Sequence, residues 1–407
     1  MVFERTGPTR ASQPGDPSAV TTAHPLSSCG YYRLSLRTFS SENRPRQALS
    51  RRRILGPKDM AVFEPVVLRS LLRSMREARG QKLPVIAGHK LLYRCNLECQ
   101  MCPFWRREDE ELLTLSEEIH MMDALASAGV SFLGFEGGEP LLRPDLPEIL
   151  RESHKRFHTS LVTNGWLLKQ RIDELAPSLE MLFVSLDGIG PMHDFLRGIP
   201  HSYERAVEGI RAAREHLPVA ISSTITKDNL HQAESMVDLA ISLGVEITFQ
   251  VAYDYSTADA LSPMGPDFLE TLQAIRARRV AGAPILESPE YFDAIIGSWF
   301  GHKSWHCKPW LTINIDPRGR VVMPCYVLHE YAGEHPVWEI DVAGMWNSFD
   351  WSKYESCNKC GLACYLEPSL FSWSNMGMVR DRIVSNAFGH IGRRRQRVAA
   401  AAASAPA

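Results

Sequence analysis

Cys95-Asn96-Leu97-Glu98-Cys99-Gln100-Met101-Cys102 sets three cysteines at CxxxCxxC spacing, directly after the apolar run Lys90-Leu91-Leu92-Tyr93, which reads as a strand. Three thiolates in so short a loop can each bind one corner iron of a [4Fe–4S] cluster. Complete protein ligation of such a cluster takes four thiolates, so three leave one iron open to a small molecule. A structural zinc is the alternative, and it asks for a CxxC knuckle with a fourth ligand close by.

Outward from this loop, strand-like and helix-like patterns alternate. Strands are expected at 85–93, 130–135, 159–163, 181–186, 220–226 and 246–251, with helical stretches at 116–127, 146–154, 169–175, 203–215 and 230–243. Repeated βα units mean an α/β fold with a parallel sheet and right-handed crossovers. Six units are too few to close an eight-stranded barrel, so the expected form is an open, partial (βα)6 TIM-type barrel with a small Cys-rich C-terminal extension. Barrels of this kind carry their chemistry at the C-terminal strand ends, and the remaining motifs lie there. Gly137-Gly138-Glu139-Pro140 follows the second strand, and its glycines let backbone approach a ligand closely. Thr163-Asn164-Gly165 follows the third, Ser185-Leu186-Asp187-Gly188 ends the fourth, and Ser222-Ser223-Thr224 and Gln250 lie on the fifth and sixth. Ordinary turns explain Asn-Gly and Asp-Gly equally well.

The chain has 407 residues, 44% of them hydrophobic and 23% charged, an ordinary globular composition with room for one large domain and a smaller one. A net charge of −2 gives no reason to expect nucleic acid. Residues 1–59 carry a local +6, are rich in Ser, Pro and Arg, and read either as a transit-type presequence or as a translated upstream region before Met60. Residues 60–83 hold an amphipathic helix, with Leu68, Leu71, Leu72 and Met75 on one face and Arg69, Arg73 and Arg76 on another. It can pack on the barrel or lie on an anionic membrane surface. The barrel core spans 84–255, a linker or helical bridge 256–300, the Cys-rich module 301–375, and a helix with a basic, alanine-rich tail 376–407. No apolar run approaches the ~20 residues of a spanning helix.

Nine cysteines fall into three sets: Cys29 alone, the triad, and Cys307, Cys325, Cys357, Cys360 and Cys364. In a chain this large with no apolar signal segment, metal binding is the better reading than disulfides, which implies a reducing cytoplasm. Ile313-Asn314-Ile315-Asp316-Pro317-Arg318-Gly319-Arg320-Val321 reads as a hairpin that carries Cys307 and Cys325 close together. The five C-terminal thiols can hold an auxiliary iron–sulfur cluster, hold zinc, or stay wholly or partly unmetallated.

The triad and Gly137–Pro140 together resemble the radical S-adenosylmethionine (SAM) superfamily, whose signature is CxxxCx(aromatic or apolar)C, here with Met101 in the variable slot. The resemblance implies that Cys95, Cys99 and Cys102 hold a [4Fe–4S] cluster whose open iron chelates S-adenosyl-L-methionine. It implies that one electron, from a donor such as flavodoxin or ferredoxin, cleaves SAM to a 5′-deoxyadenosyl radical. Gly137, Gly138, Glu139 and Pro140 would hold the methionyl amino group. Thr163, Asn164, Ser185, Asp187 and Ser223 would touch carboxylate, ribose or adenine, and Arg197, in His193-Asp194-Phe195-Leu196-Arg197-Gly198, would pair with the carboxylate. His193 reads as a structural hydrogen-bonder. The C-terminal module resembles the twitch and SPASM extensions of that superfamily. In Cys307-Lys308-Pro309-Trp310, Pro324-Cys325-Tyr326-Val327-Leu328 and Cys357 to Cys364 it is nearest to the enzymes that add the adenosyl radical to hopene. Pro103-Phe104-Trp105-Arg106-Arg107 departs from that branch. The leading expectation is therefore a radical SAM enzyme acting on a lipid or isoprenoid-like small molecule, with peripheral membrane contact. The alternatives are a SPASM-type peptide maturase and a non-catalytic iron–sulfur protein. Glu136, Tyr253 and Tyr255 are candidate proton or hydrogen donors.

Overall fold

The structure is a computed structural model that describes residues 69–370, apart from 70, 71, 74, 109, 110, 255–257, 259, 302–304 and 358. Residues 1–59, the start of the first helix, Cys29, Tyr255 and the tail after 370 lie outside the described residues.

The barrel runs β1 (Ile86–Lys90), α1 (Leu115–Ala128), β2 (Phe132–Glu136), α2 (Leu146–His154), β3 (His158–Thr163), α3 (Leu168–Leu175), β4 (Met181–Ser185), α4 (Pro191–Arg197), α5 (Ser202–Ala213), β5 (Val219–Ile225), α6 (Ala233–Leu243) and β6 (Glu246–Val251). Then come α7 (Pro266–Val280), α8 (Pro289–Trp299), β7 (Thr312–Ile315), β8 (Arg320–Met323), β9 (Tyr331–Pro336), α9 (Val342–Ser348) and α10 (Ala363–Leu370). The strands form one nine-stranded sheet in the order β6-β5-β4-β3-β2-β1-β7-β8-β9. β1 to β6 pair in parallel, as the six βα units require. β7 then adds in parallel to the free side of β1, with Ile86 opposite Thr312 and Gly88 opposite Asn314. β7–β8 is the expected hairpin. Its place in the barrel sheet is not visible in the sequence.

Alternation decides which face each side chain takes. In β3 and β4, Leu161, Thr163, Leu182 and Val184 are buried toward the helical layer, while Ser160, Val162, Phe183 and Ser185 are half-buried on the opposite, interior face. Local signals fix the helix ends. At α1, Glu117 N–H donates to Thr114 Oγ1 and Thr114 N–H to Glu117 Oε2, a reciprocal capping box. The prolines of the 256–300 bridge do not exclude helix: Pro266 and Pro289 stand in the first turns of α7 and α8, where a missing N–H costs nothing.

The first helix differs from its pattern. Arg69 donates to the carbonyls of Val130 (2.7 Å) and Arg156 (2.9 Å) and lies over the Phe157 ring, whereas Leu72 and Met75 are 53% and 55% exposed. The guanidinium fork reaches carbonyls at the start of β2 and before β3 that no apolar side chain could satisfy.

A buried carboxylate joins barrel and bridge. Glu287 Oε1 accepts the Phe249 N–H (3.0 Å) and the Thr248 hydroxyl, while the neighbouring Glu367 accepts Ser288 N–H (2.6 Å). Burial, with Glu367 adding to it, pushes the Glu287 carboxyl up to about 8. Unfolded, it titrates near ~4.3, so between those values the unfolded chain has lost a proton that the folded chain keeps. This group's contribution to stability is therefore present at low pH and falls as pH rises from ~4.5 to about 8, by up to tenfold in the folding equilibrium per pH unit. Glu287→Gln is expected to flatten that stretch of the stability–pH profile in denaturant titrations between pH 5 and 8. An unchanged slope would contradict it.

Candidate active site

The cysteine loop leaves the C-terminal end of β1 and is clamped by backbone. Gly138 N–H donates to Leu92 O (2.7 Å) and Glu139 N–H to Arg94 O (3.0 Å) from one side. From the other, Glu98 N–H reaches Arg197 O (3.2 Å) and Gln100 N–H reaches Leu196 O (3.0 Å) at the end of α4. Contact this close excludes side chains. A Cβ on Gly138 would lie 2.1 Å from Arg94 O, and one on Gly198 would lie 2.6 Å from Glu98 O, at φ +75°. The glycines of Gly137–Pro140 thus admit the chain's own cysteine loop, where the sequence reading expects a ligand.

Every thiol of the triad sulfurs accepts an N–H. Cys95 Sγ receives Leu97 N–H (3.4 Å), Cys102 Sγ receives Phe104 N–H (3.4 Å), and Cys99 Sγ receives Arg197 Nη1 (3.6 Å). Asn164 Nδ2 lies 3.9 Å from Cys95 Sγ and donates to Asn96 Oδ1 at 2.8 Å. Burial pushes the bare Cys95 and Cys99 thiols up to about 12 and about 11, so metal binding here releases protons. Hydrogen bonds to cluster sulfurs tune a bound cluster.

Several residues expected to touch SAM are engaged by protein. The buried Glu139 carboxylate accepts from Thr163 Oγ1 (2.6 Å), Leu141 N–H (3.0 Å) and Asn164 N–H (2.8 Å), which ties the β2 and β3 ends together. Burial outweighs these bonds and raises its pKa. Asp187 is also buried. It pairs with Arg197 Nη2 (2.6 Å) and accepts Thr224 N–H (2.8 Å), so the Arg197 fork is divided between Asp187 and Cys99. Burial opposes the Arg197 charge, but Asp187 and Cys99 outweigh it and raise the pKa. His193 Nδ1 accepts Asp187 N–H (3.1 Å), the structural role expected of it, and burial lowers its pKa to about 3. Ser223 turns away from the site. It shares the β5 face of the buried Ile221 and Ile225, and Ser222 and Thr224 take the interior face with Ser185.

What keeps the interior open is a pair of glycines that the sequence reading passed over. Gly88 and Gly134 face each other in β1 and β2, flanked in register by Asn314 on β7 and Ser160 on β3. A Cβ on Gly88 would come within 3.3 Å of Glu136 Oε1, and one on Gly134 within 3.2 Å of Ser160 Oγ. Glycine inside a strand is the available signal for such a place. Above this row, Lys90 Nζ pairs with Glu136 Oε1 (2.9 Å) and lies 4.1 Å from the Phe104 ring centroid. The donor set therefore fits an iron–sulfur cluster: three thiols in one loop with N–H donors on each sulfur, at the mouth of a barrel kept clear by glycine.

A parallel α/β barrel with such a loop at the C-terminal end of its first strand suits an iron–sulfur cluster that leaves one iron open. Residues 90–240 match the profile described as "Radical SAM superfamily". Its cofactors are a [4Fe–4S] cluster and S-adenosylmethionine. Residues 247–384 match "Domain of unknown function (DUF3463)". The chain is 36% identical over 168 residues to the AdoMet-dependent heme synthase of Methanosarcina barkeri, across 40% of this chain and 48% of that protein. It is 26% identical to the PqqA peptide cyclase of Granulibacter bethesdensis, across 67% of this chain and 78% of the cyclase. Among solved structures, Streptococcus suis SuiB bound to S-adenosylmethionine aligns with TM-score 0.56 and 16% identity over 66% of each chain, a likeness of fold. These relatives include a peptide cyclase.

Gly138→Ala and Gly198→Ala are each expected to lower iron loading of the 95–102 loop severalfold, and Tm by roughly 2–8 °C. Gly297→Ala, whose Cβ meets nothing within 4 Å, serves as the control, leaving iron loading unchanged and Tm equal or slightly higher because alanine favours the interior of α8. Iron analysis and thermal melts check this, and full loading in Gly138→Ala would refute the clamp.

Proposed function

We propose that the protein is a radical SAM enzyme that modifies a peptide, with its [4Fe–4S] cluster on Cys95, Cys99 and Cys102. The observation that carries it is the clamped triad at the mouth of a glycine-lined barrel. When bound, the cluster and SAM supply a 5′-deoxyadenosyl radical from one electron delivered by a donor of the flavodoxin or ferredoxin kind. The chain's own residues do the rest. Asn164 and the Leu97 and Phe104 N–H groups orient the thiolates, and Arg197 sets positive charge beside Cys99. Gly137, Gly138, Glu139, Pro140, Thr163 and Asp187 act as positioning residues that hold the loop and strand ends. Ser185, Ser222 and Thr224 offer interior hydroxyls to the SAM ribose or adenine. A reducing cytoplasm suits this thiol content.

Peptide is favoured over lipid as substrate by the relatives: PqqA peptide cyclases align over 67% and 71% of the chain, and one SuiB structure holds precursor peptide SuiA. The C-terminal outline CxPW, PCYxL and CxxCxxxC supports the second reading, an isoprenoid-like lipid. Among the described residues no helix is long and apolar enough to cross a membrane.

Anaerobically reconstituted protein with dithionite and SAM is expected to release 5′-deoxyadenosine, and Cys95→Ala, Cys99→Ala or Cys102→Ala to reduce that release to background. Peptide and lipid extracts from a deletion strain, each incubated with enzyme and SAM, separate the substrates by mass spectrometry. An enzyme-dependent mass change only in the peptide fraction is expected. A change only in the lipid fraction would overturn the peptide reading while leaving the radical chemistry in place.

A further inference from the structure

Lys90 and Glu136 end β1 and β2 directly opposite each other, on the interior face that Gly88 and Gly134 keep clear. Their ion pair spans 2.9 Å and is unequal in exposure: the Lys90 side chain is 7% exposed and the Glu136 side chain 31%. Lys90 Nζ lies 4.1 Å from the ring centroid of Phe104 and 4.8 Å from that of Tyr326. Cation–π attraction to the two rings adds to the ion pair and holds the ammonium in place. The carboxylate is fixed in turn through its Oε1, which leans over Gly88: a Cβ at that glycine would stand 3.3 Å from it. A carboxylate accepts at about four lone-pair positions, and among the described residues only Lys90 donates to this one. The part left exposed lies on the face that also carries Ser160, Ser185, Ser222 and Thr224.

We infer that Glu136 is a substrate anchor whose carboxylate accepts N–H groups of the substrate, and that Lys90 is the positioning residue that fixes it. The inference rests on the peptide reading above and deepens it. Lys90 already balances the charge of Glu136, so the group that completes the carboxylate is a neutral donor, the amide N–H of a peptide, ahead of a second cation. A hydrocarbon chain has no donor to offer. Packed against Glu136, it would strip water from a carboxylate and return no hydrogen bond, and a polar group buried without a partner is costly. One residue at the end of β2, beside the cysteine loop, thus separates peptide amides from isoprenoid chains.

The test compares two charge-free double variants, Lys90→Met with Glu136→Gln and Lys90→Met with Glu136→Leu, because removing one partner alone strands a buried charge. Glutamine keeps a carbonyl acceptor at position 136 and leucine has none. Full-length, anaerobically reconstituted protein receives SAM, dithionite and a dilution series of the peptide fraction from a deletion strain, and the mass change is followed. The leucine variant is expected to need roughly tenfold more of the fraction for half-saturation than the glutamine variant, with similar rates at saturation. Equal half-saturation overturns the anchor. So does a lower saturating rate at unchanged half-saturation, which would put Glu136 in the chemistry instead. If either double variant loses iron or melts early, Gly88→Ala, which pushes on the carboxylate and leaves both charges, is measured against the unmutated enzyme. A rise in half-saturation is expected there, and none overturns the anchor. Unmutated enzyme that alters only the lipid fraction overturns the peptide reading and this one together, whereas a peptide change indifferent to all three variants overturns the anchor alone.

Discussion

The molecule depends on backbone meeting backbone around the cysteine loop. Leu92 O and Arg94 O accept from one chain segment while the N–H groups of Glu98 and Gln100 donate to another. Neither contact survives a side chain at Gly138 or Gly198. A loop held by carbonyls and amides has its backbone fixed on both sides, and the thiols hang from that fixed backbone. The side chains then serve the clamp. Glu139 joins two strand ends, Asp187 carries Arg197, and Arg197 faces Cys99.

Much of the architecture is legible from sequence because alternation and helical periodicity are local. β6 has the expected bounds, the other strands shift by a few residues at most, and α2 matches throughout. The triad is legible for the same reason, being a spacing within eight residues. What escaped is non-local. Nothing near His89 announces that it pairs with Glu118 (3.1 Å), or that Glu118 also binds Arg143 (2.7 Å), although this buried network holds β1 to α1 and to the segment after β2. α4 is short and follows Gly-rich turns, so its seven residues show no clear period. The parallel pairing of β7 with β1 spans more than two hundred residues and has no local signature.

The site was legible in its residue types more than in their roles. Gly137, Gly138, Glu139, Asp187 and Arg197 stand beside the loop, yet their groups face other protein groups. Sequence can mark a polar residue at a strand end but not say whether its partner is a ligand or the next loop. Ser223 shows the finer limit. One step of register separates it from Ser222 and Thr224 and puts it on the other face of the sheet. The glycines that clear the barrel, Gly88 and Gly134, read as ordinary small residues until register sets them side by side.

The β1–β7 pairing has a structural consequence for the chain as a whole. Because β7 hydrogen-bonds along β1, Cys307, just ahead of β7, and the triad, just after β1, are borne by adjoining strands of a single sheet. The pairing also makes the chain indivisible: cut after α8, it would bare the flank of β1, an unpaired strand edge beside the cysteine loop that invites pairing with other chains.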